Sequence, residues 1–217
     1  MVGGLVLALA SPVWGTPILR QMSFFRLRTI EVRGARYLPP AEVVRRLGVD
    51  TSWSLWGDLG ALERRLISHP LVRSVHVERR LPGTLVVTVT ENLPVALVPA
   101  RDGLRAVDVR GRILPIDPSR ADVNAPVLPA ADRGLLRLLD DLRQHLPALY
   151  GQVSSARRLP TGDLQLVLPS LVVRASSDVS SERIADILDV QRDLARRNAH
   201  VTELDLRFRD QVIARMQ

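Results

Sequence analysis

Histidines and paired carboxylates are the residues of this chain whose types could support catalysis or metal binding. The four histidines are scattered, and the two nearest in sequence, His69 and His76, are predicted to end a helix and to project from the polar side of a strand. A zinc site needs three or four such ligands at one point. Asp140 and Asp141 are neighbours in a predicted helix, where adjacent side chains point to different faces. The sequence therefore predicts no metal, no cofactor and no catalytic residue.

The composition excludes several classes of enzyme. None of the 30 basic residues is a lysine, and the chain has no cysteine. Schiff-base lysines, the phosphate-binding P-loop lysine, thiol nucleophiles and cysteine-bound zinc are therefore excluded. The signatures G-x-S-x-G, H-E-x-x-H and G-x-G-x-x-G are also absent. We therefore expect a protein that is not an enzyme.

The net charge of +7 raises the question of a nucleic-acid partner. A nucleic-acid-binding domain gathers its basic residues on one face, with aromatic residues for base stacking. Here the arginine pairs are interleaved with acidic residues, and the 3 Trp, 2 Tyr and 3 Phe are spread along the chain. We interpret the arginine pairs as solvated faces and expect no nucleic-acid partner. Contact of some arginines with anionic lipid headgroups is a weaker alternative.

Residues 1–22 are interpreted as a transmembrane anchor. The run from Met1 to Leu19 carries no charged side chain, and 19 residues in a helix nearly span a hydrocarbon core about 30 Å thick. A signal peptide cleaved near Ala8-Leu9-Ala10 and a buried helix of a soluble protein are the alternatives. The arginines follow the run, so the positive-inside rule alone would place the later domains in the cytoplasm. A basic tail missing from the start would reverse that orientation.

Residues 24–92 are predicted to form a small β-α-α-β-β module. Ile30 and Val32 alternate with polar residues and indicate a strand. A first helix is expected to open at Pro39-Pro40 and to stop at Gly48, and Asp58 is expected to cap a second helix.

Two further alternating runs, 71–78 and 85–90, complete the module as an antiparallel hairpin. Pro82 and Gly83 fit the central positions of a type II turn, in which glycine accepts a positive φ.

Residues 93–217 are predicted to form a second α+β domain with a mainly antiparallel sheet and two helices. Expected strands flank turns at Arg110-Gly111 and Pro169-Ser170. Leucines between 135 and 146 indicate one amphipathic helix, which is expected to end near Pro147. Apolar residues between 184 and 195 indicate the other, capped by Ser180 or Ser181 and stopping near Asn198.

The end of the chain is predicted to contain the last two strands, around residues 204–208 and 211–215. A terminal strand is commonly a sheet edge, and its open N–H and C=O groups can accept a strand from another protein. From the residues alone, an ordinary edge protected by its own arginines is the favoured interpretation.

Several segments resemble the FtsQ family of bacterial cell division proteins, also called DivIB, whose first extracytoplasmic module is a polypeptide-transport-associated (POTRA) domain. The most specific part is the Pro82-Gly83 hairpin followed by T-E-x-x-P-V-A at residues 90–96. The other similar segments are Val32-Arg33-Gly34, Glu42–Gly48, His69–Val75, the D-x-x-G-x-x-x-P run at Asp108–Pro115, and the late strand Glu203–Phe208.

The resemblance implies a non-enzymatic scaffold of the divisome, anchored in the inner membrane by a single span, with both domains extracytoplasmic at the division septum. It implies partners similar to FtsB and FtsL (DivIC), bound by β-strand addition, and a septal penicillin-binding protein with its glycosyltransferase partner. The expected partner-contacting residues are Leu204, Leu206, Arg207, Phe208, Arg209, Val212, Ile213 and Ala214. A POTRA-containing chaperone of outer-membrane assembly or secretion is the alternative function.

Overall fold

The computed structural model describes residues 23–196, 201–208 and 211–216. The chain is α+β and divides into two compact units, unit 1 (residues 1–92) and unit 2 (residues 93–217). The predicted anchor at residues 1–22 lies outside the described residues, as do Asn198 and Arg209. Among the described residues, no helix combines the length and the apolar character needed to cross a membrane.

Unit 1 has the predicted β-α-α-β-β order. After a 3-10 turn at Ser23–Phe25, its elements are β1 (Thr29–Arg33), α1 (Pro40–Leu47), α2 (Leu59–Ile67), β2 (Val72–Arg80) and β3 (Thr84–Glu91). The sheet order is β1-β3-β2, with β1 parallel and β2 antiparallel to the central strand.

The helix ends of unit 1 are formed by the residues that the sequence singled out. Gly48 ends α1 in the left-handed conformation with φ 61°, which glycine adopts at little cost. The Asp58 side chain accepts a hydrogen bond from the Ala61 N–H at 3.1 Å and caps α2. The helices bury Val43, Leu47, Leu62 and Leu66, all less than 3% exposed.

The prediction of a type II turn at Pro82-Gly83 is wrong, because Gly83 does not have the positive φ that this turn requires. The glycine is needed for close packing instead. A Cβ at this position would lie 3.0 Å from the Arg28 side chain and 3.1 Å from the Arg26 carbonyl oxygen. The Gly83 carbonyl accepts hydrogen bonds from the N–H groups of Arg28 and Thr29, which joins the hairpin to the start of β1.

Unit 2 contains seven strands and three helices in its described part. The strands are β4 (Ala96–Ala100), β5 (Gly103–Val107), β6 (Ser155–Arg158), β7 (Leu164–Leu168), β8 (Leu171–Ala175), β9 (Val201–Asp205) and β10 (Ile213–Met216). The helices are α3 (Arg133–His145), α4 (Pro147–Tyr150) and α5 (Ser181–Arg196). The main sheet has the order β10-β9-β8-β7-β6, and its β8–β9 pair is parallel because α5 crosses over between these strands.

Two predictions for unit 2 need correction. The third helix, α4, was missed because Pro147 both ends α3 and occupies the first position of a new short helix, where its missing N–H is no loss. The segment 113–116 is the strand that was expected to follow the turn at Arg110-Gly111, and in the structure it forms one isolated bridge from Ile113 to Val107. The assignment of residues 93–217 to an FtsQ-type β domain stays a prediction.

The core of unit 2 lies on one face of the five-stranded sheet. One row of side chains crosses all five strands on this face, namely Ala156, Leu166, Val173, Leu204 and Ala214. These residues join the buried leucines of α3, together with Ile184 and Ile187 of α5, in one apolar cluster. The last two strands are therefore secured by side chains that face the helices.

Candidate partner-binding edge

Within the part of the chain that the structure describes, β10 is the outermost strand of the main sheet. It pairs antiparallel with β9, with Ile213 opposite Asp205, Ala214 opposite Leu204 and Arg215 opposite Glu203. The terminal strand is thus a sheet edge, which is the geometry needed for strand addition.

The direction of the β9 backbone groups follows from one hydrogen bond. The Leu206 N–H donates to the Arg174 carbonyl at 2.7 Å, so the backbone groups of Leu206 point toward β8. Along a strand these groups alternate between the two neighbours. The N–H and C=O groups of Leu204 therefore also point toward β8, whereas those of Glu203 and Asp205 point toward β10.

The same alternation decides which groups of β10 face outward. Ile213 lies opposite Asp205, and Arg215 lies opposite Glu203. Because the backbone groups of Asp205 and Glu203 point toward β10, these two pairs are the hydrogen-bonded ones. The N–H and C=O groups of Ala214, and of Val212 two residues earlier, are then directed away from β9. These two residues present the backbone that a guest strand would bind.

The predicted contact residues differ in what their side chains can do. Leu204 and Leu206 are buried at 0% and 3% exposure, so they hold the edge in place from the core and do not face a partner. Phe208 and Ile213 are 49% and 41% exposed. Apolar side chains with this exposure, beside open backbone, can contact a guest strand.

Arg207 was expected to contact a partner, but its guanidinium is engaged within the chain. Its Nε and Nη2 donate to the Asp205 carboxylate at 2.9 and 2.7 Å, and its Nη1 lies 3.1 Å from Asp163. Asp205 is only 4% exposed, and its hydrogen bonds from Arg207 lower the pKa of the carboxyl below its usual value. Arg207 therefore fixes the exit from β9.

A second arginine, Arg183 of α5, holds the connection between β9 and β10. Its Nη2 donates to the carbonyl oxygens of Phe208 and Gln211 at 2.9 and 3.0 Å, and its Nη1 lies 2.5 Å from Asp186. Sequence reasoning missed this contact, because donor and acceptors are 25 and 28 residues apart. It fixes the backbone on both sides of the segment 209–210.

The face of the sheet opposite the core places charged residues beside the edge. Glu203 lies 3.2 Å from Arg174 of β8 and 3.7 Å from Arg215 of β10. Ile213 lies in the neighbouring row, opposite Asp205. The edge thus combines two outward backbone positions with one apolar and one basic side chain on its open face.

The acidic residues of the most specific sequence motifs are structural. Glu91, 6% exposed, accepts hydrogen bonds from the backbone N–H groups of Arg36, Tyr37 and Leu38 at 2.8 to 3.1 Å. It therefore organises the loop before α1.

Asp108, 3% exposed, has the same role in unit 2. It accepts from the N–H groups of Arg110 and Arg112 at 2.9 Å and from the Arg112 Nε at 2.8 Å. Gly111, with φ 76°, completes this turn.

His69 also has a local role. The Nδ1 of His69, in a residue 8% exposed, accepts from the Leu71 N–H at 3.2 Å, and burial lowers the pKa of the ring. Within the described ranges, no three His, Asp or Glu residues are grouped as metal ligands.

Several known proteins are similar to this chain. Residues 25–92 match the family described as POTRA domain, FtsQ-type. The cell division protein FtsQ of Myxococcus fulvus is 28% identical over 232 residues, covering 95% of this chain and 80% of that protein. FtsQ of Rhodothermus marinus is 28% identical over 233 residues, covering 97% and 83%. DivIB of Geobacillus kaustophilus is 26% identical over 140 residues, covering 63% and 54%.

These similarities confirm the resemblance found in the sequence. The chain is a relative of the FtsQ and DivIB cell division proteins, and its residues 25–92 match their type of POTRA domain.

Proposed function

We propose that this protein is a non-enzymatic scaffold of bacterial cell division, anchored in the inner membrane by residues 1–22 with both units outside the cytoplasm. The similarity to FtsQ proteins over almost the whole chain supports the division role. The observation that carries the mechanism is the position of β10 at the edge of the main sheet. In this function β10 accepts a strand from a partner protein and so recruits it to the septum.

The partner is a bitopic division protein of the FtsB or FtsL (DivIC) type that contributes an extended segment beside its coiled coil. A septal penicillin-binding protein and its glycosyltransferase partner would be recruited or regulated through the same assembly. Support comes from the outward backbone of Val212 and Ala214 and the exposed side chains beside it.

The number of open backbone groups at the edge limits the binding free energy that hydrogen bonds can supply. Val212 and Ala214 offer two N–H and two C=O groups, and a net contribution of about 0.5–1.5 kcal/mol per hydrogen bond gives roughly 2–6 kcal/mol. Micromolar binding requires about 8 kcal/mol. Apolar contacts must supply the remainder, and Phe208 and Ile213 are the exposed apolar side chains at this edge.

Proline substitution at one outward position tests this proposal. Ala214→Pro removes an N–H that points to the guest and leaves the β9–β10 hydrogen bonds of Ile213 and Arg215 in place, and proline is tolerated at such edge positions. Co-purification with an FtsB- or FtsL-like partner should be lost, and Phe208→Ala should weaken it. The matched control, Ala214→Ser, keeps the N–H and should bind as the parent does.

Circular dichroism and thermal unfolding would first show that both Ala214 variants are folded. Binding of a folded Ala214→Pro variant with unchanged affinity would contradict strand addition at this edge.

Imaging of a fluorescent fusion separates the division role from the chaperone alternative. A division scaffold should concentrate at mid-cell before constriction. Uniform envelope staining would instead favour a chaperone for outer-membrane assembly or secretion.

A further inference from the structure

Four aromatic residues of unit 1 lie together at one end of its sheet. The rings of Phe24 and Phe25 pack edge to face with centroids 5.2 Å apart, and Phe25 packs against Trp56 at 5.9 Å. Trp53 lies in the same loop as Trp56. We call these four residues and Leu81, in the loop from β2 to β3, the aromatic end of unit 1.

Backbone hydrogen bonds assemble the aromatic end from two segments distant in sequence. The Leu27 N–H donates to the Trp53 carbonyl, and the Leu55 N–H donates to the Phe25 carbonyl, both at 2.9 Å. The tryptophan loop is therefore fixed to the segment that leads into β1.

The β2–β3 loop reaches the same place, because the Arg28 N–H donates to the Gly83 carbonyl at 2.8 Å. The opposite end of the sheet, where Val72 pairs with Glu91, lies about 26 Å away along β2.

The aromatic end is exposed and basic. Phe24 and Leu81 are 55% and 54% exposed. The Arg28 guanidinium lies 5.9 Å from the centre of the Phe24 ring, and that of Arg79 lies 5.5 Å from the Trp56 ring. Packing against an aromatic face leaves the outer side of a guanidinium open to an anion.

Carboxylates only partly balance these arginines. The segments 24–28, 50–57 and 78–82 together carry four arginines and two acidic residues, Asp50 and Glu78. One of the arginines, Arg80, is paired with Glu31 of β1. The Asp50 carboxylate accepts hydrogen bonds from Ser52. The remaining charge at this end is positive.

The sequence before the aromatic end limits its distance from the proposed anchor. The uncharged run ends at Leu19, four residues before Ser23, and four residues span at most about 14 Å. The headgroup layer on each side of a bilayer is about 5–8 Å thick. A span that ends at Leu19 therefore holds the aromatic end within reach of the headgroups.

We propose that the aromatic end of unit 1 lies on an anionic lipid surface. Phe24, Trp56 and Leu81 sit at the boundary between headgroups and hydrocarbon, where aromatic side chains concentrate. Arg28 and Arg79 bind headgroup phosphates. The inference rests on the proposed anchoring, and it fixes the orientation of unit 1, with Val72 and Glu91 pointing away from the membrane.

Site-directed spin labelling tests this orientation, and the absence of native cysteine makes single-cysteine variants direct to prepare. The full chain would be reconstituted into vesicles containing phosphatidylglycerol and labelled at Leu81→Cys. The matched control is Arg73→Cys, an exposed position near the far end of β2. A third label, Leu9→Cys, reports on the anchor.

The measured quantity is the accessibility of each label to oxygen relative to a water-soluble nickel chelate. The label at position 81 should show headgroup depth in anionic vesicles, and the label at 73 should show aqueous exposure. Combined Arg28→Gln and Arg79→Gln substitution should lower the ratio of docked to undocked protein about fivefold for each arginine. For the unsubstituted protein, replacing the anionic vesicles by phosphatidylcholine vesicles should lower the ratio of docked to undocked protein to a similar extent.

The labels separate the possible failures. Equal, aqueous accessibility at positions 81 and 73, with position 9 in the hydrocarbon, would overturn the docking and leave the anchor intact. Protection of position 81 to the same degree in detergent without lipid would also overturn it, since a protein segment would then cover the aromatic end. A label at position 9 outside the hydrocarbon would refute the anchoring and, with it, the docking.

Discussion

Replacing Glu91 by alanine should destabilise unit 1 strongly. The Glu91 carboxylate is the acceptor for the N–H groups of Arg36, Tyr37 and Leu38. Leu38 is 2% exposed, so water cannot readily replace the lost acceptor at its N–H. A buried group left without a partner costs about 1–3 kcal/mol, and the two other groups are partly hydrated. We expect a loss of about 3–5 kcal/mol in the free energy of unfolding.

Such a loss is comparable to the whole stability of a domain of this size, which is about 3–10 kcal/mol. Tryptophan fluorescence is the appropriate assay, because Trp14, Trp53 and Trp56 all lie in residues 1–92. Urea titration of the full chain followed by this signal therefore reports on unit 1.

Two variants serve as controls. Glu91→Gln keeps one acceptor oxygen and should lose about half as much stability. Glu78→Ala replaces an exposed carboxylate and should change the free energy of unfolding by less than about 0.5 kcal/mol. A loss below about 1 kcal/mol for Glu91→Ala would refute the structural role that we assign to this residue.

Three further substitutions test other parts of the fold. Gly34→Ala should cost at least about 2 kcal/mol, because φ is +76° and a Cβ would lie 2.3 Å from the Val89 carbonyl oxygen; thermal unfolding measures this. Asp132 caps α3, and its hydrogen bonds from Arg158 lower the pKa of the Asp132 carboxyl from the usual 3.8 to about 2. The stabilisation that this lowered pKa contributes is complete above 3.8 and is lost as the pH falls toward 2, so Asp132→Asn should flatten the acid limb of a stability–pH profile. Arg207→Lys cannot reproduce the two-nitrogen contact with the buried Asp205 and should destabilise unit 2 by about 1–3 kcal/mol in chemical unfolding, whereas no loss would show that this contact is unimportant.

The helices of unit 1 and their ends could be predicted from sequence because the interactions that form them are local. The Asp58 side chain accepts a hydrogen bond from the N–H group of Ala61, three residues later. Gly48 ends α1 because its own backbone adopts the left-handed conformation. Both are recognised from residue type and position.

The contacts between residues distant in sequence could not be predicted in the same way. Glu91 reaches N–H groups 53 to 55 residues away, and Arg183 reaches carbonyls 25 and 28 residues away. Alternation along β9 identified Leu204 and Leu206 as apolar positions, but a period of two does not say which face is buried. Their burial in the structure shows that these two leucines lie in the core, and the sheet order and register show that the Ala214 backbone points outward.

The proposed edge is short, and the proposed function requires it to pair with one partner strand and not with many. β10 has four residues, Ile213–Met216, and Arg215 on its open face is the kind of charged side chain that discourages aggregation. Long apolar edges pair indiscriminately. We therefore expect selectivity to come from the exposed Phe208 and Ile213 and not from the backbone alone.

Amide hydrogen exchange at single-residue resolution tests the proposed strand addition most directly. In the full chain alone, the N–H of Ala214 should exchange fast, whereas those of Ile213 and Arg215 should be protected by β9. On binding an FtsB- or FtsL-like partner, Ala214 should become protected, with little change at its two neighbours. An Ala214 amide that is protected before the partner is added, or that still exchanges fast in the complex, would contradict strand addition at β10.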